Sequence, residues 1–167
     1  MGTTQSSLIV MDGQQLAAGE ARTYLNADML EPDVFELGGG TAAVFSARRP
    51  AKATANEDAA AVISAGENAA VLVVADGCGG MASGEQAARI AVECLTESIV
   101  KAAGLGPDGP GLRAAILDGV EAANRRILDL RSGAGATLAV VQLENGEARP
   151  YHVGDAQILL VGGRGRM

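Results

Sequence analysis

Short apolar runs bounded by Gly, Pro, Asn or Asp recur along the chain at 41–47, 59–64, 69–75, 136–143, 148–153 and 158–161. Their length and punctuation predict strands. Two longer stretches with helical spacing, 83–103 and 111–131, lie between the third and fourth runs. In the second of these, Ile116, Val120, Ala123, Ile127 and Leu130 recur at steps of three and four, which predicts an amphipathic helix covering a sheet. The first opens with Ser83-Gly84-Glu85-Gln86, a capping-box pattern in which Ser83 caps and Gln86 reaches back. Its apolar face is Ala87, Ile90, Ala91, Cys94 and Leu95. Strands that arrive in runs, apart from the helices, predict an antiparallel α+β domain, because a doubly wound parallel sheet would alternate strand and helix. Residues 1–40 show no sustained periodicity and end in Gly38-Gly39-Gly40. They are expected as a partly irregular N-terminal extension to a domain of residues 41–167.

Composition narrows the function classes. With 167 residues, 48% of them hydrophobic, the chain can build one core of ordinary size. The aromatic residues are Tyr24, Phe35, Phe45 and Tyr151, so Ala, Val, Leu and Ile must fill that core, and stacking platforms for single-stranded nucleic acid are lacking. Thirteen basic against 20 acidic residues leave a net charge of -7, and the densest basic group is Arg48-Arg49 with Lys52. Nucleic-acid and anionic-membrane partners are therefore not expected. Cys78 and Cys94 with a single histidine, His152, fit neither a zinc cluster nor a disulfide framework, so the expected compartment is the reducing cytoplasm. The apolar run at 69–75 is far shorter than the roughly 18–20 residues of a membrane span. The run at 8–11 lacks the length and positive flank of a signal peptide. Met1-Gly2-Thr3-Thr4-Gln5-Ser6 matches the myristoylation template, a pattern that short Gly-Ser-Thr stretches meet by coincidence.

The informative chemistry is acidic. Asn56-Glu57-Asp58 precedes a strand, the turn Gly66-Glu67-Asn68, a second strand, and then Asp76-Gly77-Cys78-Gly79-Gly80. If the two strands form a hairpin, a three-residue turn sets Asp58 opposite Asp76, and a four-residue turn sets Glu57 there. Opposed side chains have Cβ atoms about 4.5–5.5 Å apart, where two carboxylates repel unless a proton or cation lies between them. Oxygen-only donors select hard ions such as Mg²⁺ or Mn²⁺, and the glycines after Asp76 let backbone carbonyls approach the same ion. The same acids could instead be solvated strand ends beside ordinary turns, and spacing alone leaves both readings open. The loop before the first helix has no Gly-Lys-Ser or Gly-Lys-Thr, so it is not a nucleotide P-loop. His152 reads as a structural hydrogen-bonding residue, Cys78 as a small residue in a tight loop, and Arg125, Arg126 and Arg131 as a solvated helix face.

Taken together the motifs resemble the N-terminal part of the metal-dependent protein phosphatases, the PPM or type 2C family of serine/threonine phosphatases. The matching pieces are Asn56-Glu57-Asp58-Ala59, Val73-Val74-Ala75-Asp76-Gly77-Cys78-Gly79-Gly80-Met81, Gly84-Glu85 with Ala88, Gly135-Ala136-Thr137-Leu138, and Val153-Gly154-Asp155, in family order. The resemblance implies an α/β/β/α sandwich of two antiparallel sheets flanked by helices. It implies two Mn²⁺ or Mg²⁺ ions and a bridging water that attacks the phosphorus of phosphoserine or phosphothreonine in protein substrates. Carried over by position, Asp76 bridges both metals, Glu57 and the Gly77 carbonyl complete one ion's shell, Asp58 orients the water, and Asp155 matches the ligand of a weaker third metal.

The sequence departs from the pattern in places. The family continues to two further aspartates that hold the second ion, and the sequence stops at Met167 without them. This implies a C-terminally truncated domain with a weakened second site. It also leaves open a non-catalytic, phosphoprotein-binding module, or one completed by another chain. The arginine expected three residues before the Asn-Glu-Asp motif is Ala53, leaving Lys52, Arg49 or Arg48 to hold the substrate phosphate. Ala156-Gln157 replaces the usual Ser-Arg, and Cys78 stands where some relatives carry a histidine acid. A sandwich lacking its last strands is expected to expose an apolar inner face.

Overall fold

The computed structural model describes residues 13–50, 54–78, 82–106 and 109–162. In chain order its elements are β1 (Gln14–Gln15), β2 (Ala21–Leu25), β3 (Asp33–Leu37), β4 (Gly40–Val44), β5 (Asp58–Gly66), β6 (Ala69–Cys78), α1 (Ala82–Gly104), α2 (Leu112–Asp129), β7 (Gly135–Glu144) and β8 (Glu147–Val153). A five-stranded sheet runs in the order β2-β5-β6-β7-β8, antiparallel throughout. A smaller sheet runs β1-β3-β4, with β1 and β3 parallel and β3 and β4 antiparallel. The result is the expected α+β architecture, with one helical layer, the large sheet and the small sheet stacked in that order among the described residues.

Side-chain alternation on β5 and β6 explains the layering. Ala59, Ala61 and Ile63 on β5, with Val71, Val73 and Ala75 on β6, share a buried cluster with Val92, Leu95 and Ile99 of α1. The intervening Ala60, Val62 and Ala70 point the other way and pack with Tyr24, Phe35 and Leu37. Most of both faces of these central strands is thus covered, Val74 near the acid end being half exposed, and this is why they read as continuous apolar runs rather than alternating ones. The anticipated face of α1, Ala87, Ile90, Ala91, Cys94 and Leu95, is buried throughout.

The structure differs from the sequence expectations at several points. The stretch before Gly40 contributes β1, β2 and β3; β2 is an edge of the large sheet, and Phe35 on β3 is fully buried. The helix α1 begins at Ala82, so Ser83 lies inside the first turn instead of capping it. The helix α2 buries Leu112, Ala115, Ile116, Gly119 and Ala123 and packs mainly on α1 rather than covering the sheet. The Ser98 hydroxyl donates to the Ala115 carbonyl at 2.8 Å across this helix pair. Residues 158–161 form no strand: Gly154, with φ of 81°, turns the chain off the β8 line, and no described strand runs beside them. Leu159, Leu160 and Val161 are consequently about 80% exposed (82%, 81% and 80%).

Two tests follow from this packing. A Cβ on Gly119 would stand 2.9 Å from the Leu95 Cα, so the helices must separate to admit it. Gly119→Ala is expected to lower the unfolding free energy by about 1–2 kcal/mol in urea titrations, despite the ~1 kcal/mol of helix propensity that alanine adds. The buried Tyr24 hydroxyl donates to Asp33 Oδ2 at 2.8 Å. Burial first, and then the hydrogen bond to Asp33 and its negative charge, push the phenol above its usual range. A phenol that holds its proton more tightly when folded stabilises the native state fully below its unfolded pKa of about 10. That contribution is lost as pH rises beyond this value. Denaturation curves from pH 8 to 11 should show stability falling at the alkaline end, with a flatter profile in Tyr24→Phe.

Candidate active site

The hairpin β5–β6 places the acids. Its register sets Asp58 directly opposite Asp76, with an irregularity between Ser64 and Gly66 that accommodates the turn. Of the two registers left open by the sequence, the one pairing Asp58 is therefore realised. Glu57 stands one residue beyond the strand, and the Gly77 amide donates to the Glu57 carbonyl at 3.2 Å. Asp58 and Asp76 continue the face of Ala60, Val62 and Ala70, so both lie on the side of the sheet turned toward the small sheet.

Asn56 shapes the approach to Asp58. It is buried, its Oδ1 accepts the Asp58 amide at 3.1 Å, and its Nδ2 donates to the Ala27 carbonyl at 2.8 Å and to Ser46 Oγ at 2.9 Å. This is an Asx-type turn whose side chain also ties the loop to two other segments. In the sequence Asn56 stands out only as the first letter of a motif; an Asn two residues before a strand-end acid is the signal for its structural task.

The acids open on a cleft of about 350 Å³ lined by Ala47, Arg48, Arg49, Asn56, Glu57, Asp58 and Asp76. A larger and more apolar cleft of about 610 Å³ adjoins it between β4 and the β5–β6 face. Phe45 and Val74 are 59% and 51% exposed along that space. Arg48 pairs with Asp28 at 2.8 Å, with both side chains about half exposed (49% and 50%). Among the described residues no ion pair engages Arg49. Lys52 and Ala53 lie outside the described residues.

The remaining candidates fall along the same end of the sheet. Asp76 pairs with Thr137 on β7 and Gly77 with Ala136. Leu138 pairs with Val153, and Gly154 sits against Thr137, where a Cβ would come within 3.1 Å of its Cγ2. Asp155, just past the Gly154 turn, is exposed at this end of the sheet and does not line the cleft of the other acids. Glu57, Asp58, Asp76 and Gly77 are brought together; Asp155 is a neighbour at a distance. His152, expected to make a structural hydrogen bond, is exposed on the edge strand β8 and makes no side-chain hydrogen bond among the described residues. An edge strand with one open side gives its ring no buried partner. Cys78 closes β6 opposite Gly135 and is exposed, a strand end rather than part of a tight loop.

The donor set bears on the expected Mn²⁺ or Mg²⁺. Among the described residues no three His, Cys, Asp or Glu side chains gather closely enough to form a metal cage by themselves. Three acids lining one cleft, two of them in adjacent register, are nonetheless the kind of oxygen donors a hard cation takes while retaining water. Gly77 fits this arrangement for a steric reason. A Cβ there would lie 2.1 Å from the Gly84 carbonyl oxygen and 2.9 Å from that of Glu57. Only glycine lets the first turn of α1, β6 and the Glu57 loop meet backbone to backbone.

No helix among the described residues is long and apolar enough to cross a membrane. The family model described as Protein phosphatase 2C matches residues 47–167, a span that holds Asn56-Glu57-Asp58, Asp76-Gly77 and Gly154-Asp155. Searches of curated proteins and of solved structures return no match. With both acids of the hairpin register and the Gly77–Gly84 contact inside the matched span, the chain belongs to the protein phosphatase 2C family.

Proposed function

We propose that the Glu57–Asp58–Asp76 cleft is a divalent-cation-dependent phosphatase centre acting on phosphoserine and phosphothreonine in proteins. The observation that carries this reading is the register pairing of Asp58 with Asp76 in a cleft that also holds Arg49. Glu57, Asp76 and the Gly77 carbonyl are the groups that would hold Mn²⁺ or Mg²⁺. Such an ion, when bound, neutralises charge on the phosphoryl oxygens and lowers the pKa of water. Asp58, fixed by the Asn56 turn, accepts a hydrogen bond from the attacking water and aligns it with the phosphorus. Arg49 supplies positive charge for the phosphate dianion, assisted by Lys52, while Arg48 is partly neutralised by Asp28. Asp155 stands where a weaker additional cation would bind at the rim.

A second reading, a phosphoprotein-binding module without turnover, draws on the lack of a three-acid cage among the described residues. The apolar cleft beside β4, with Phe45 and Val74 half exposed, would then receive a complementing chain.

The two readings separate in one assay. Under the first, the purified chain hydrolyses a phosphothreonine peptide in Mn²⁺, chelation abolishes turnover, and Asp76→Asn lowers kcat/KM by about 100-fold or more, equivalent to ~2.7 kcal/mol or more of transition-state stabilisation. Under the second, peptide binding followed by fluorescence anisotropy survives both chelator and Asp76→Asn, and no phosphate is released. Gly77→Ala is expected to lose about 3 kcal/mol or more of stability, visible as an earlier thermal transition, because backbone rather than side chain must move to admit the Cβ.

A further inference from the structure

Beyond the matched residues 47–167, the segment that follows β2 touches both halves of the site. Leu25, the last residue of β2, pairs with Ala59, so Asn26 and Ala27 emerge beside the Glu57–Asp58 end of β5. Asn26 holds a left-handed backbone, φ 57°, which asparagine tolerates better than most residues. Its Nδ2 donates a hydrogen bond to Glu85 Oε1 in the first turn of α1, a part-buried contact between residues 59 positions apart. The next residue, Ala27, offers its carbonyl to Asn56 Nδ2. One dipeptide therefore fastens the turn in front of Asp58 and the helix start behind Gly77.

The second fastening has a specific mechanical purpose. Gly84, adjacent to Glu85, packs its backbone on Gly77: a Cβ on Gly84 would lie 3.0 Å from the Gly77 oxygen. A glycine-on-glycine contact has no side chains to interlock, so it resists sliding poorly. Metal ligands need placement within about 0.5 Å, and a helix terminus left to itself frays. The Asn26–Glu85 hydrogen bond anchors the first helical turn to the edge strand and thereby limits movement of Gly84 against Gly77.

We propose that Asn26 is a positioning residue of the cation centre, acting through Glu85 and Gly84 on the Gly77 carbonyl. This rests on the reading of the cleft as a cation site. The test is calorimetric titration of the full chain with Mn²⁺ in the absence of substrate, paired with thermal melts in chelator. Asn26→Gly tolerates the left-handed backbone and removes the side chain with its amide. It should weaken Mn²⁺ binding about 10-fold, the scale of loss when outer-shell partners of a metal site are removed. Its metal-free melting temperature should stay near that of the parent chain. Glu85→Ala should show the same loss, the double variant no further loss, and Glu85→Gln, which keeps an acceptor oxygen, near-parental affinity. A parent chain that binds no Mn²⁺ overturns the cation centre itself. If the parent binds but Asn26→Gly binds equally well, or if the losses in the double variant add, the role of Asn26 alone is overturned.

Discussion

One strand register is the constraint around which this domain is arranged. The β5–β6 ladder sets Asp58 directly opposite Asp76 at the open end of the hairpin. What holds them is the rest of the hairpin, in which Ala59, Ala61, Val62, Ile63, Val71, Val73 and Ala75 are all buried. A slip of one residue would turn every one of these side chains to the opposite face, so the register cannot relax to part the acids. The helices secure one face and β3 the other, and the bulge near the turn absorbs the mismatch at the far end.

Much of this was legible because the relevant signals are local. Apolar runs, their punctuation and the count of residues between Asp58 and Asp76 narrow the hairpin to two registers. The apolar pattern after the glycine loop locates α1 to within a residue at its start, whereas the capping box misplaces its cap. The strands before Gly40 were not legible for the converse reason. On β2 only Tyr24 is buried, with Arg22 and Thr23 exposed, so an edge strand of five residues shows no alternation to detect. The segment 158–161 misleads in the other direction: its residues have strand chemistry, but strand formation needs a neighbour, and composition does not report neighbours. For α2 the periodicity is real, and the partner is α1 instead of the sheet, a distinction that lies in tertiary placement alone.

The candidate site was legible as a set of residues but not as a mechanism of support. Glu57, Asp58, Asp76 and Gly77 could be named from spacing and resemblance; in the structure the three acids line one cleft and Gly77 follows Asp76 on β6. The hydrogen bonds that stiffen the set, from Asn56 to Ala27 and Ser46 and from Asn26 to Glu85, join residues 10 to 59 positions apart. No window along the sequence contains both partners of the longer ones. The same holds for Arg48, whose positive charge looks available in the sequence and is shared with Asp28 in the fold.

The shortage of large side chains has a geometric consequence. Where α1 crosses β5 and β6, the layers meet in part through Ala59, Ala61 and Ala75 on the sheet and Ala88 and Ala91 on the helix. Alanine at these positions acts as a thin spacer: it sets the height of α1 above the sheet, and only at a low height can Gly84 rest on Gly77. An interior of leucines could be just as well buried and still lift the helix by a methylene or two. The reacting end would then be pulled apart by a change made entirely in the hydrophobic interior.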